Sequence, residues 1–218
     1  MNESRAPHAL LFIGTSCPHC GIVLEGLARM IKGGRLARLE VVNVAEEPAE
    51  AARHGVRSVP WTRIGPFELV GGLTPTEIAD WVEYARTGEG WSAYYTHLLE
   101  NRRLDEVLRR IRECPGTLTH LLGALDDETP MAVRIGISAV VEELAGRDPL
   151  RAVRPQLEQL TLSDSAQTRA DACHFLGLAG DPRAIPAVRR LLDDEQHDVR
   201  EIAVETLALL GEASGEDA

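Results

Sequence analysis

The chain has 218 residues, 44% hydrophobic and 26% charged, enough for two domains of about 100 residues with packed cores. Aromatics make up only 4%, which disfavours an all-β sandwich and suits helical layers. A net charge of −11 excludes a general nucleic-acid binder, which needs a basic surface to neutralise phosphates, and no run approaches the roughly 20 apolar residues of a membrane span.

His8 to Gly14 is an apolar run closed by glycine and predicts a buried strand. Its apolar part, Ala9 to Ile13, is too short for the core of a signal peptide and follows acidic Glu3, so a cytoplasmic protein is expected. Pro18 to Ile31, apolar at Ile22, Val23, Leu24, Leu27, Met30 and Ile31, predicts a helix packed on a sheet, stopped by Gly33-Gly34. Leu36 to Val44 predicts a second strand, hydrophobic through Leu39, Val41, Val42 and Val44. Glu46 to His54 predicts a short helix with Pro48 in its first turn, ended by Gly55. Arg57 to Ile64 and Phe67 to Val70 predict a third and a fourth strand, forming a hairpin across Gly65-Pro66. Thr74-Pro75 opens a last helix, Thr76 to Arg86, and the order is β-α-β-α-β-β-α. Two glycines in Thr87-Gly88-Glu89-Gly90 mark a seam, so residues 1–88 form one domain.

Beyond the seam the composition changes. Residues 1–88 carry 9 basic and 10 acidic side chains, whereas the remaining 130 carry 14 and 24 and are rich in Ala, Leu and Arg. Trp91 to Cys114 predicts a helical capping pair within a connecting stretch, 89–116. Residues 117–218 then repeat, with a disordered tail at the end. Arg134, Arg169 and Arg200 are spaced by 35 and 31, each behind a Leu-rich segment with a turn aspartate (Asp127, Asp164, Asp194) and ahead of an apolar helix. Asp148-Pro149 and Asp181-Pro182 have the capping aspartate and first-turn proline of helix starts.

The chemistry concentrates at Cys17-Pro18-His19-Cys20, where the first strand turns into the first helix. A sulfur at a helix start meets unpaired N–H groups and the positive end of the macrodipole, both of which favour an anion. Pro18 suits the first turn because it lacks an N–H, and a protonated His19 would add positive charge beside the thiolate. These effects predict a Cys17 pKa below the free value of about 8.5 and a dithiol favoured over its disulfide. The two-residue gap lets Cys20 close a small ring. A zinc half-site is the competing reading, but it calls for a second cysteine pair, and the other cysteines, Cys114 and Cys173, are isolated. Glu25 lies on the first helix but reads as exposed, and His8 and His54 read as surface residues.

Together, Cys17-Pro18-His19-Cys20, Val59-Pro60 and Gly71-Gly72 resemble the thioredoxin superfamily over about residues 6–88, in the compact glutaredoxin-like or archaeal-type form. The resemblance implies an α/β thioredoxin-like fold, a cis bond before Pro60, and Val59 presenting its backbone to an extended substrate. It implies catalytic roles for Cys17, Cys20, His19 and Pro60, and substrate contacts at Val59, Pro18, Gly71 and Gly72. Pro-His between the cysteines is similar to DsbA-type oxidants, whose helical insertion has no room between Val44 and Val59. Glutaredoxins carry an acid after Gly-Gly, which Gly71-Gly72-Leu73-Thr74 lacks. The C-terminal half resembles HEAT-like repeats, in which turn aspartates and second-helix arginines pair between neighbours.

Two functions follow from these readings. One is a thiol–disulfide oxidoreductase whose all-α HEAT-like solenoid binds a protein partner or client, fed by a thioredoxin-reductase-type protein or by glutathione. The other is a protein-interaction scaffold whose C-x-x-C is a redox switch. Neither needs a cofactor, a metal, nucleic acid or a membrane.

Overall fold

A computed structural model describes residues 6–213. The chain divides into two compact units, Met1–Gly90 and Trp91–Ala218. In the first, β1 (His8–Ile13), α1 (Cys20–Lys32), β2 (Arg38–Asn43), α2 (Pro48–Arg53), β3 (Trp61–Ile64), β4 (Phe67–Val70) and α3 (Pro75–Thr87) follow the order read from the sequence. The sheet order is β2-β1-β3-β4, with β2 parallel to β1, and β3 antiparallel to both β1 and β4. Central β1 is buried on both faces, as a strand covered by helices on either side must be. Leu10 and Phe12 pack with Trp61 and Ala51 of α2 on one face. The register sets Leu11 opposite Thr62 on the other face, the one covered by α1 and α3. Gly26 lets those two helices approach, because a Cβ there would lie 2.4 Å from Ile78 Cδ1. Thr74 caps α3 through a reciprocal pair of hydrogen bonds with Glu77.

Four sequence expectations change. First, α1 begins at Cys20 and not Pro18, because Cys17 to His19 form a turn closed by sulfur. Second, β3 begins at Trp61 and not Arg57, since Pro60 has no N–H for a ladder. Third, β2 lies at the sheet edge and leaves Val41 40% exposed. Fourth, His54 is not a plain surface residue: its ring packs on Phe12 and Trp61, and its Nε2 lies 3.3 Å from Glu50.

The second unit is all helix. It runs α4 (Trp91–Glu100), α5 (Leu104–Glu113), α6 (Leu118–Leu122), α7 (Met131–Glu143), α8 (Asp148–Ala152), α9 (Arg154–Leu160), α10 (Ala166–Ala179), α11 (Ile185–Arg190) and α12 (His197–Ala213), with three short 3-10 turns. α9 packs on α10 and α11 on α12, and the second helices α7, α10 and α12 stack in a row. No hairpin can bury its apolar face alone, so neighbours complete it. The disordered tail expected beyond α12 lies outside the described residues.

The three arginines tie this row together. Arg169 grips Asp194 of the next hairpin with two bonds, 2.7 and 2.8 Å, and donates to the carbonyls of Ser163 and Asp164. Arg134 reaches Asp171 on α10 and the carbonyl of Asp126, and Arg200 donates to the carbonyls of Asp194 and Glu195. The expected aspartate–arginine pairing therefore holds through Asp194 alone. Asp164 is exposed and lends only its carbonyl, while Ser165 caps α10 through the Thr168 N–H.

The Arg169 hydrogen bonds hold the Asp194 carboxyl below the usual carboxylate range, and those of Arg183 do the same for Asp181. A depressed folded pKa contributes stability that is fully present above the unfolded value, about 3.9, and is lost as pH falls below it through the lower folded pKa. The helical unit is therefore expected to lose stability steeply below about pH 4. Urea unfolding followed by helical circular dichroism at a series of pH values checks this, and Asp194→Asn should flatten the dependence.

Candidate active site

The site grows from the C-terminal end of β1. Gly14 ends the strand, its carbonyl accepts from the Cys17 N–H at 3.2 Å, and the chain turns through Pro18 and His19 into α1. Cys17 is half-buried, while Cys20, the first residue of α1, is only 5% exposed. Their sulfurs are joined in a disulfide with Cα atoms 5.4 Å apart. The Cys20 N–H donates to Cys17 Sγ at 3.1 Å, so a first-turn donor of the helix is aimed at the outer sulfur.

The second wall comes from the loop before β3. The Val59–Pro60 peptide is cis, as the resemblance implies, and Pro60 is buried. The Pro60 carbonyl accepts from the Gly71 N–H at 2.9 Å, which ties this loop to the end of β4. Gly71 has φ +98°, a conformation that favours glycine. A Cβ on Gly14 would lie 3.1 Å from Val59 Cγ2 and 4.0 Å from Cys17 Cβ, so Val59 and Cys17 converge on this glycine. A Cβ on Gly72 would lie 3.3 Å from both Cβ and Cγ of His19. The structure thus brings Cys17, Cys20 and Val59-Pro60 to one end of the sheet, and sets Gly72 against His19 there. Pro18 is exposed in the turn.

Gly14 was missed by sequence reasoning, although a glycine between an apolar strand and C-x-x-C is a visible signal of close backbone approach. Glu25 points to solvent, 72% exposed and 3.6 Å from Arg29. The remaining cysteines both lie in the helical unit. Cys114 is exposed, whereas Cys173 is buried and hydrogen-bonded to Thr206, and burial pushes its thiol up to about 11. Cys173 therefore stays protonated and inert at neutral pH. Among the described residues no group of three or more His, Cys, Asp or Glu is placed to hold a metal ion, and no helix is long and apolar enough to cross a membrane.

Residues 9–83 match the family model of a thioredoxin domain, and residues 153–218 match that of HEAT repeats. No curated protein matches the chain. The chain joins a thioredoxin-like domain to C-terminal HEAT repeats.

Proposed function

We propose that this protein is a thiol–disulfide oxidoreductase in which Cys17 is the nucleophile and Cys20 resolves the intermediate, and that its helical unit binds a protein partner or client. The observation that carries the reading is the joined Cys17–Cys20 pair, with the Cys20 N–H on Cys17 Sγ and with Val59 and Cys17 both close to Gly14. In the reduced protein the same N–H favours a thiolate at Cys17. His19 and Pro60 complete the catalytic group, and Val59, Pro18, Gly71 and Gly72 form the substrate rim.

The exchange balances in two displacements. The Cys17 thiolate attacks one sulfur of a client disulfide, joins it, and releases the other client sulfur as a thiolate. Deprotonated Cys20 then attacks Cys17 Sγ, closes the Cys17–Cys20 bond and releases the second client sulfur. Two electrons pass to the client, which takes up two protons, and the reverse sequence oxidises a client dithiol. In the cytoplasmic setting expected from the sequence, a thioredoxin-reductase-type protein or glutathione returns the pair to the dithiol.

Turnover of a model protein disulfide by the full chain, with dithiothreitol as reductant, tests the proposal. Catalysis above the reductant alone supports it. No turnover, with a large change in partner affinity between the oxidised and reduced forms, would instead make the pair a redox switch on a scaffold. A second expectation concerns the substrate rim. Gly14→Val forces side-chain atoms into Val59 and should slow exchange with the model disulfide about tenfold or more, because small displacements of reacting groups are costly. An unchanged rate in a folded Gly14→Val protein would remove Val59 from the rim.

A further inference from the structure

The second-helix row carries an apolar surface that the fold leaves open. On α7, Met131 and Ile135 lie one turn apart and are 65% and 62% exposed. They line a groove of about 290 Å³ with Ser138, Ala139, Glu142 and, from α10, Asp171. The arrangement recurs on α12. His197, Arg200, Glu201, Val204 and Glu205 line a second depression, and each stands 66 residues after its counterpart Met131, Arg134, Ile135, Ser138 and Ala139. Val204 is 59% exposed there.

The unpaired charge on this row is mostly acidic, because Arg200, which donates to carbonyls alone and so keeps its positive charge, is outnumbered by Glu142, Glu201 and Glu205. Arg134, Arg169 and Arg200 are all turned to loop carbonyls, and the first two also hold carboxylates of the following hairpin. Glu142 and Glu205 form no ion pair with a described residue, and Glu201 meets only His197, at 4.0 Å. The surface is therefore apolar at its anchors and acidic around them. Neighbouring helix axes lie 8–10 Å apart, so two steps from α7 to α12 span roughly 20 Å. An extended segment covers that distance in about six residues.

We infer that the α7–α10–α12 face docks a basic, extended segment of a protein client, with apolar side chains about six residues apart seated at Met131/Ile135 and at Val204, and with lysine or arginine facing Glu142, Glu201 and Glu205. The inference rests on reading the helical unit as the partner-binding half of the oxidoreductase, and it names the chemistry of that partner.

Fluorescence anisotropy on the full chain tests it with three labelled peptides. One carries two leucines about six residues apart among lysines, the second has every lysine replaced by glutamate, and the third has the leucines replaced by serine. The first should bind, and each of the others should bind about tenfold or more weakly. Ile135→Glu, at an exposed position, should cost the first peptide a similar factor, and the folded Glu142→Lys/Glu205→Lys protein should also bind it less tightly. Salt that shortens the Debye length to about 3 Å should weaken the complex several-fold. No binding of the leucine–lysine peptide, equal binding of its glutamate copy, or indifference to Ile135→Glu would overturn the inference. Turnover of a model disulfide by Ile135→Glu, measured alongside, should be unchanged. A binding failure with turnover intact therefore sinks this inference alone, whereas absent turnover in the unsubstituted chain sinks the redox reading.

Discussion

Cys20→Ser protein, reduced and mixed with extract from its native cell, is expected to accumulate clients bound to Cys17. With the resolving sulfur gone, the first displacement proceeds and the second cannot, so the mixed disulfide persists. Adducts should run as high-mass bands on a non-reducing gel and vanish on reduction. Cys17→Ser should yield none and should lower model-disulfide turnover to the uncatalysed rate. The asymmetry follows from placement: Cys17 is half-buried and can be approached, while Cys20 is 5% exposed and reaches mainly its neighbour. Trapping by Cys17→Ser and not by Cys20→Ser would reverse the two roles. Absence of adducts in both variants, with no turnover in the unsubstituted protein, would end the oxidoreductase reading.

Arg169→Ala is expected to be among the most damaging single changes in the helical unit, at about 3–5 kcal/mol. It leaves the Asp194 carboxylate, whose side chain is 6% exposed, with the Gln196 N–H as its remaining donor and no paired cation, and it takes the donor from two loop carbonyls. That is a large part of the 5–15 kcal/mol typical of a whole domain. Asp194→Asn should cost less, because Arg169, although it loses its anion, keeps the carbonyls of Ser163 and Asp164 and can still donate to the amide oxygen. Arg169→Met/Asp194→Leu should recover part of the Arg169→Ala loss but not all, since the carbonyls of Ser163 and Asp164 still lack a donor. Helical circular dichroism during urea unfolding gives these values. A loss below about 1 kcal/mol for Arg169→Ala would class the pair with exposed ion pairs.

Much of this architecture is legible in the residues. An apolar run ending in glycine, a C-x-x-C and an apolar helix define the first β-α step, and the spacing of Arg134, Arg169 and Arg200 exposes the repeat. What stays hidden has a physical cause in each case. Hydrophobic periodicity shows that Val41 belongs to a strand, but a strand at an edge and one in the middle have the same pattern. Pro18 is a good first helical residue, yet sulfur chemistry holds it in a turn and starts the helix two residues later. His54 has no apolar neighbour in sequence to announce Phe12 and Trp61, which reach it through strand pairing. The arginine spacing locates the ties between hairpins, but whether the acid comes from a turn, as Asp194 does, or from a helix, as Asp171 does, depends on how each turn caps itself.

The position of β1 has a mechanical consequence. It lies inside the sheet, hydrogen-bonded to β2 on one side and β3 on the other, and it leads straight into the sulfur turn, while β3 begins just after the cis proline. Both walls of the sulfur site are thus anchored in adjacent strands of one ladder. On the proposed redox reading, a sulfur turn rooted in a paired ladder is expected to change little when the sulfur–sulfur bond opens and closes, so that a client would meet the same cleft in each cycle.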